Sequence, residues 1–261
     1  MRSGRGDIAP PAPRIPLPRR GPPDSSPGGT WRDGGPARIG AGPHFRARRL
    51  VTARAAASLS AAGLACLRGG RLVFAGLDFE LGGGGMLTLR GPNGSGKSSL
   101  LRLLAGLLRP EAGHVAWNGR DIAEDRDAHR ARVAYLGTAD ALKPALTVAE
   151  NIAFHAALRG GAGPGAVATA LEAVGLAGLA DMPARRLSQG QRRRAALARL
   201  AATPAPLWLL DEPTLALDDD GIARLGAMVA AQLRGGGLAV VATHVDLPIA
   251  GGTTIDFASA G

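Results

Sequence analysis

An α/β fold, with a mixed sheet and a helical subdomain inserted into it, is predicted by three features of this 261-residue chain. Apolar runs at Leu207–Leu210 and Leu238–Ala242 are too continuous for half-exposed strands and suit the centre of a parallel sheet covered on both faces. Residues 139–203 are alanine-rich and helix-favouring by contrast. The third feature is Gly91-Pro92-Asn93-Gly94-Ser95-Gly96-Lys97-Ser98, which follows the apolar run Met86–Leu89 and precedes a helical apolar face over Ser99–Ala105. It fits G-x-x-x-x-G-K-[ST] in the strand, loop, helix context that the motif requires. Glycines there let successive backbone N–H groups converge on phosphate oxygens, and the helix N-terminus adds partial positive charge. Lys97 would reach the β- and γ-phosphates and Ser98 would offer its hydroxyl to Mg²⁺. Gly91 to Ser99 are therefore candidate nucleotide-binding residues, and the core is predicted to be a P-loop nucleotide-binding domain. A glycine-rich turn opening an ordinary helix is the competing reading, and the complete match in correct flanks weighs against it.

The elements follow in order. Leu64–Leu67 and Val73–Leu81 are predicted strands joined at Gly69-Gly70, and Gly82 to Gly85 turns the chain into the strand before the phosphate loop. Residues 109–113 are expected to end the helix after the loop, with a strand at His114–Trp117 and a tight turn at Asn118-Gly119. Arg120–Arg132 is polar, a loop with a short surface helix, and Val133–Gly137 is a short strand. Helices are predicted over Thr147–Leu158, Gly165–Val174 and Gln191–Ala202. The expected organisation is an extension over 1–56, a domain over 57–250 with its helical part at about 139–203, and a tail over 251–261.

Charge is uneven along the chain. The formal net charge is +10, but residues 1–54 hold 11 Arg, no Lys and 3 Asp, so the globular remainder is nearly neutral. That stretch also carries 10 Pro and 9 Gly and is expected to be disordered, because it cannot bury enough surface to offset ordering entropy. Three readings stay open for it: a non-functional or misassigned extension, with Val51 as an alternative start; an interaction tail; or a targeting segment, although its prolines interrupt both a secretory apolar region and an amphipathic transit helix. The single cysteine, Cys66, excludes an intrachain disulfide and a cysteine zinc cluster. No run of 18 apolar residues is present to span a membrane as a helix.

Two carboxylates stand at the end of the Leu207–Leu210 run. Asp211 has the placement of an acid that holds Mg²⁺ through water, and Glu212 is placed to polarise an attacking water. Adjacent acids repel, so the pair makes sense chiefly as a metal and base arrangement; two acids in an exposed loop is the bland alternative.

Leu187-Ser188-Gln189-Gly190-Gln191 resembles the L-S-G-G-Q signature of ATP-binding cassette ATPases, with Gln189 in place of one glycine. Alone, such a segment is an ordinary helix N-cap. Its spacing from Lys97 and Asp211, the Leu215-Ala216-Leu217-Asp218 segment similar to a D-loop, and His244 in the place of a switch histidine make five motifs in family order. The resemblance covers about residues 57–250. It implies Mg²⁺-dependent ATP hydrolysis by a homodimer in which Ser188 and Gly190 of one subunit meet the γ-phosphate bound by another, with Glu212, His244 and Lys97 catalytic, Asp218 crossing the interface, and Ser98 and Asp211 holding the metal.

A narrower likeness rests on Leu64–Arg68, Phe74–Leu77, Gly91–Gly94, Tyr135–Gly137, Leu142–Thr147 and Gln191–Arg194, which together are similar to the haem exporter ATPases of cytochrome c maturation. That resemblance implies a peripheral subunit on the cytoplasmic face of the bacterial inner membrane, working with integral membrane subunits, with no nucleic-acid partner. The chain has no C-x-x-C-H and is not expected to attach haem itself. Two positions depart from the family. Arg68 stands where relatives carry an aromatic that stacks on adenine, and its planar guanidinium can also stack. Thr138 stands where most relatives have glutamine and the haem exporter branch histidine. The alternatives are the ATPase of another exporter or importer, a non-hydrolysing regulatory subunit, and a nucleic-acid-binding tail protein resting on residues 1–54 alone.

Overall fold

The computed structural model describes residues 57–257 apart from 162, 164 and 250, together with the backbone of 44–46. Within the segment read from sequence as a disordered extension, a three-residue strand, β1 (His44–Arg46), pairs in parallel with β3 (Arg71–Gly82); the rest of that segment lies outside the described residues.

Two five-stranded sheets form the fold. The first has the order β1-β3-β2-β5-β6, with β2 (Ser58–Arg68) antiparallel to both β3 and β5 (Ala112–Trp117). Asn118 and Gly119 both take positive φ, as a two-residue hairpin turn requires, and β6 (Arg120–Asp121) folds back on β5, followed by the short polar helix α2 (Arg126–Arg132), capped by Asp125. β2 begins six residues before the expected Leu64, since its first half is alanine-rich and broken in register around Gly63.

The second sheet is wholly parallel, in the order β10-β4-β9-β8-β7. Its members are β4 (Met86–Arg90), β7 (Val133–Leu136), β8 (Leu207–Asp211), β9 (Leu238–Ala242) and β10 (Thr253–Asp256). Every residue of β8 and β9 is buried, which is why both read as unbroken apolar runs. Alternate residues serve two cores. Leu87, Leu89, Leu207, Leu209 and Val240 join Leu100, Leu101 and Leu104 of α1 (Lys97–Leu104) and Leu59, Phe74 and Leu77 of the antiparallel sheet. Ala134, Leu136, Trp208, Leu210 and Val241 pack with α3 (Val148–Ala157), α4 (Ala166–Ala173), α5 (Gln189–Ala202) and α6 (Asp219–Arg234).

Four sequence expectations need correcting. α1 stops at Leu104, before Gly106 takes the left-handed conformation, and 112–113 already belong to β5. α5 starts at Gln189 because Ser188 and Gln191 form a capping box. Helix α6, which sequence reading left unassigned, is capped by Asp218 and carries Asp219 and Asp220 in its first turn. Finally, residues 253–256 in the supposed tail form an edge strand beside β4.

Candidate nucleotide site

The phosphate loop connects β4 to α1. Gly96, the N-cap of α1, has φ 112, and a Cβ there would lie 2.6 Å from Val73 Cγ1. Only glycine suits that conformation and that space. No side chain caps α1, so its first-turn N–H groups face outward without intrahelical acceptors. Lys97, only 5% exposed, folds back over the loop and donates from Nζ to the carbonyls of Gly91 (2.6 Å) and Pro92 (3.0 Å). Ser95 N–H donates to Pro92 O (3.3 Å), while its buried hydroxyl has no partner.

Opposite the loop stand the ends of β8 and β9. Ser98 Oγ donates to Asp211 Oδ1 (3.0 Å), and the Asp211 side chain is buried. Tyr135 neighbours the same carboxylate: burial raises its phenol pKa, the Asp211 charge adds to that, and Arg102 opposes it. The hydroxyl therefore stays a protonated donor beside the acid. Glu212 has φ 48, a left-handed conformation that costs a non-glycine residue about 1–3 kcal/mol. Its N–H donates to Ala242 O (2.9 Å), and Oε1 lies 3.2 Å from His244 Nε2. His244 Nε2 is in turn 3.5 Å from Lys97 Nζ. Because β9 runs between β4 and β8, His244 stands between Lys97 and Glu212. The turn that carries it is held by Thr243 Oγ1, which accepts from Val245 N–H (3.1 Å) and meets Thr214 Oγ1 at 3.1 Å.

Ser188, Gly190 and Asp218 form a second cluster. Ser188 Oγ accepts from Gln191 N–H (3.2 Å), and the Gln191 side chain accepts from Ser188 N–H (2.9 Å). A Cβ on Gly190 would lie 2.7 Å from Ala216 O, so the start of α5 is pressed against the turn that precedes α6. Arg194 pairs with Asp218 and, at 3.1 Å, with Asp220. Gly221 N–H, then Arg194, hold the Asp218 carboxyl below the usual range. The cluster borders a cavity of about 440 Å³ lined by Ser188, Gly190, Arg194, Ala216 and Asp218 among others. Among the described residues no hydrogen bond joins it to the phosphate loop within one chain.

Arg68 is exposed at the end of β2, two residues after Cys66, whose thiol pKa is pushed up by burial, with Ser99 opposing the shift. Thr138 is exposed just beyond β7.

The family described as "ABC transporter" matches residues 74–215. The chain is 56% identical over 200 residues to a "Cytochrome c biogenesis ATP-binding export protein" of Paramagnetospirillum magneticum, covering 74% of this chain and 91% of that protein. A protein of the same description from Rhodospirillum rubrum is 56% identical over 192 residues, covering 74% of this chain and 82% of that protein. The chain belongs to this family of ABC ATPases. A solved structure of a putative ABC transporter ATP-binding protein from Pyrococcus furiosus shares the fold, with TM-score 0.69 at 23% identity over 77% of this chain and 97% of that one. The expected α/β P-loop fold and ATPase class are thereby established.

The residues of this ABC ATPase fit a nucleotide and a hard cation. The uncapped α1 N-terminus and the unpartnered Ser95 hydroxyl suit phosphate oxygens. Ser98 and Asp211 bring two oxygen donors together, which suits Mg²⁺, an ion that takes one or two protein oxygens and completes its shell with phosphates and water. Sequence reasoning assigned no role to Arg193 or Tyr135. Arg193 is 2% exposed although it stands in a run of three arginines that reads as a charged surface. Its signal is visible only in the fold, where its partners converge from two separate segments, 137–140 and 211–213.

Proposed function

We propose that this chain is the motor of the haem export system of cytochrome c maturation, a peripheral subunit on the cytoplasmic face of the inner membrane. Two copies clamp ATP between them and transmit closure to integral membrane subunits. The observation that carries the reading is the line Glu212–His244–Lys97, with steps of 3.2 and 3.5 Å, beside the Ser98–Asp211 contact. Lys97 Nζ is held by two loop carbonyls and can exchange them for phosphate oxygens. Glu212 is placed to accept a proton from water while His244 orients its carboxylate. Mg²⁺, held by Ser98 and by Asp211 through water, would neutralise phosphate charge. Ser188, Gly190 and Asp218 lie together around one cavity and make no hydrogen bond to the phosphate loop of their own chain among the described residues, which suits residues that serve a second copy's nucleotide. Arg68 is free to stack on adenine. Relatives described as cytochrome c biogenesis export proteins, matched over most of their length, support the assignment to that system.

The test is Glu212→Gln with ATP and Mg²⁺. Nucleotide binding should persist, hydrolysis should fall at least about 100-fold, and the protein should sediment as a dimer only with ATP. Near-normal turnover would place the base elsewhere, and an ATP-loaded monomer would refute the clamp. Stimulation by co-purified membrane subunits of cytochrome c maturation, and not by those of another exporter, checks the system.

A further inference from the structure

Arg193 presents five N–H donors, the full complement of a guanidinium, to five acceptors. Nε donates to Pro213 O (3.3 Å), Nη2 to Asp211 O (2.9 Å) and Glu212 O (2.6 Å), and Nη1 to Gly137 O (2.9 Å) and Asp140 Oδ1 (3.3 Å). Three consecutive carbonyls, 211 to 213, thus turn toward one buried side chain. That arrangement goes with the left-handed backbone of Glu212, since the peptide planes on both sides of it are fixed from Arg193. The Glu212 side chain reaches His244, with Oε1 3.2 Å from Nε2. Nη1 holds the segment just after β7, the one that contains Thr138. Arg193 itself stands one turn into α5, the helix that begins with Ser188 and Gly190.

We propose that Arg193 is a positioning residue for hydrolysis: it holds the backbone of Glu212 in the conformation that aims its carboxylate, and ties that turn to the 137–140 segment and to α5. The inference rests on the reading of Glu212 as the base. A displacement of α5 or of the segment after β7 strains the five-bond joint, so Glu212 is aimed only when both are in register with β8. Lysine cannot replace arginine here, because a single ammonium on a flexible stem cannot span carbonyls on two sides.

The experiment is a double-mutant cycle on the full chain with Arg193→Lys, Glu212→Gln and the combination, reading single-turnover hydrolysis, ATP affinity and Tm. Arg193→Lys should lower the hydrolysis rate at least about 10-fold with ATP affinity changed less than about 3-fold. In the Glu212→Gln background it should add less than about 2-fold, because a residue acting through Glu212 has nothing left to aim. Multiplicative effects with Glu212→Gln severely impaired would overturn the proposal for Arg193 alone. A fully active Glu212→Gln would instead remove the base reading, and the proposal with it. If Arg193→Lys does not fold, Asp140→Ala removes one acceptor at the partly exposed edge of the joint; a several-fold rate loss at unchanged ATP affinity and Tm supports positioning, and an unchanged rate overturns it.

Discussion

Gly96→Ala tests the phosphate loop through its backbone. An alanine at φ 112 is strained, and its Cβ would sit 2.6 Å from Val73 Cγ1 and 3.2 Å from Phe74 Cδ1. Strain at such a φ costs about 1–3 kcal/mol, and overpacking of this kind is of similar size. The nucleotide-free loop can relax part of both, so we assign about 2 kcal/mol to the bound state, equivalent to about a 30-fold loss of ATP affinity. Titration with a fluorescent ATP analogue and Mg²⁺ measures it, with Tm recorded to account for any cost already present in the free protein. Val73→Ala in the same background removes the nearest clash and should restore only part of the affinity, leaving the φ contribution. Unchanged affinity in Gly96→Ala, with unchanged Tm, would refute the placement of the phosphates at this loop.

Three further outcomes are expected. Gly190→Ala puts a methyl 2.7 Å from Ala216 O and must shift the turn before α6; ATP-dependent dimerisation of the Glu212→Gln protein, followed by sedimentation, should weaken at least about 10-fold with monomer affinity for ATP nearly unchanged, and an unimpaired dimer would refute the role of this contact. Thr138→His should change stimulation by membrane partners more than the basal rate, because Thr138 is exposed beside the Arg193 joint; equal changes with and without partners would place it in the chemistry. Burial lowers the pKa of His129, and lowers that of His155 to about 4, so both rings are neutral in the fold when the unfolded chain already binds protons. Stability is then complete above about pH 6.5 and falls as pH drops toward 4, which a Tm series measures; His155→Asn should flatten the slope, and a flat wild-type profile would refute the assignment.

The parts of the candidate site written contiguously in the chain were legible in the sequence. The loop Gly91 to Ser98 carries its own strand and helix signals, and Asp211 and Glu212 end a run whose burial dictates its composition. Long-range partners were not legible. Arg193 reads as exposed because a run of arginines normally is, and only the convergence of 137–140 and 211–213 gives it acceptors. β10 escaped notice because only Ile255 of its four residues is buried, too little to mark a strand. α6 had a readable cap in Asp218, yet that aspartate had already been absorbed into the D-loop resemblance. The end of α1 was overrun because Leu107 and Leu108 continue the apolar texture past Gly106.

The strand order has a consequence for synthesis. β4 has only β9 and β10 as neighbours, and both come from the last part of the chain. The phosphate loop therefore leaves the ribosome on a strand with two bare edges, and stays so for roughly ten seconds or more at ordinary elongation rates. A product that stops before residue 238 lacks His244 and both neighbours of β4, which leaves that apolar strand unpaired and open to aggregation and to proteases. Premature termination or slow translation of the last stretch would thus yield inert, degradable fragments in place of a nucleotide-binding protein that competes for the membrane partners.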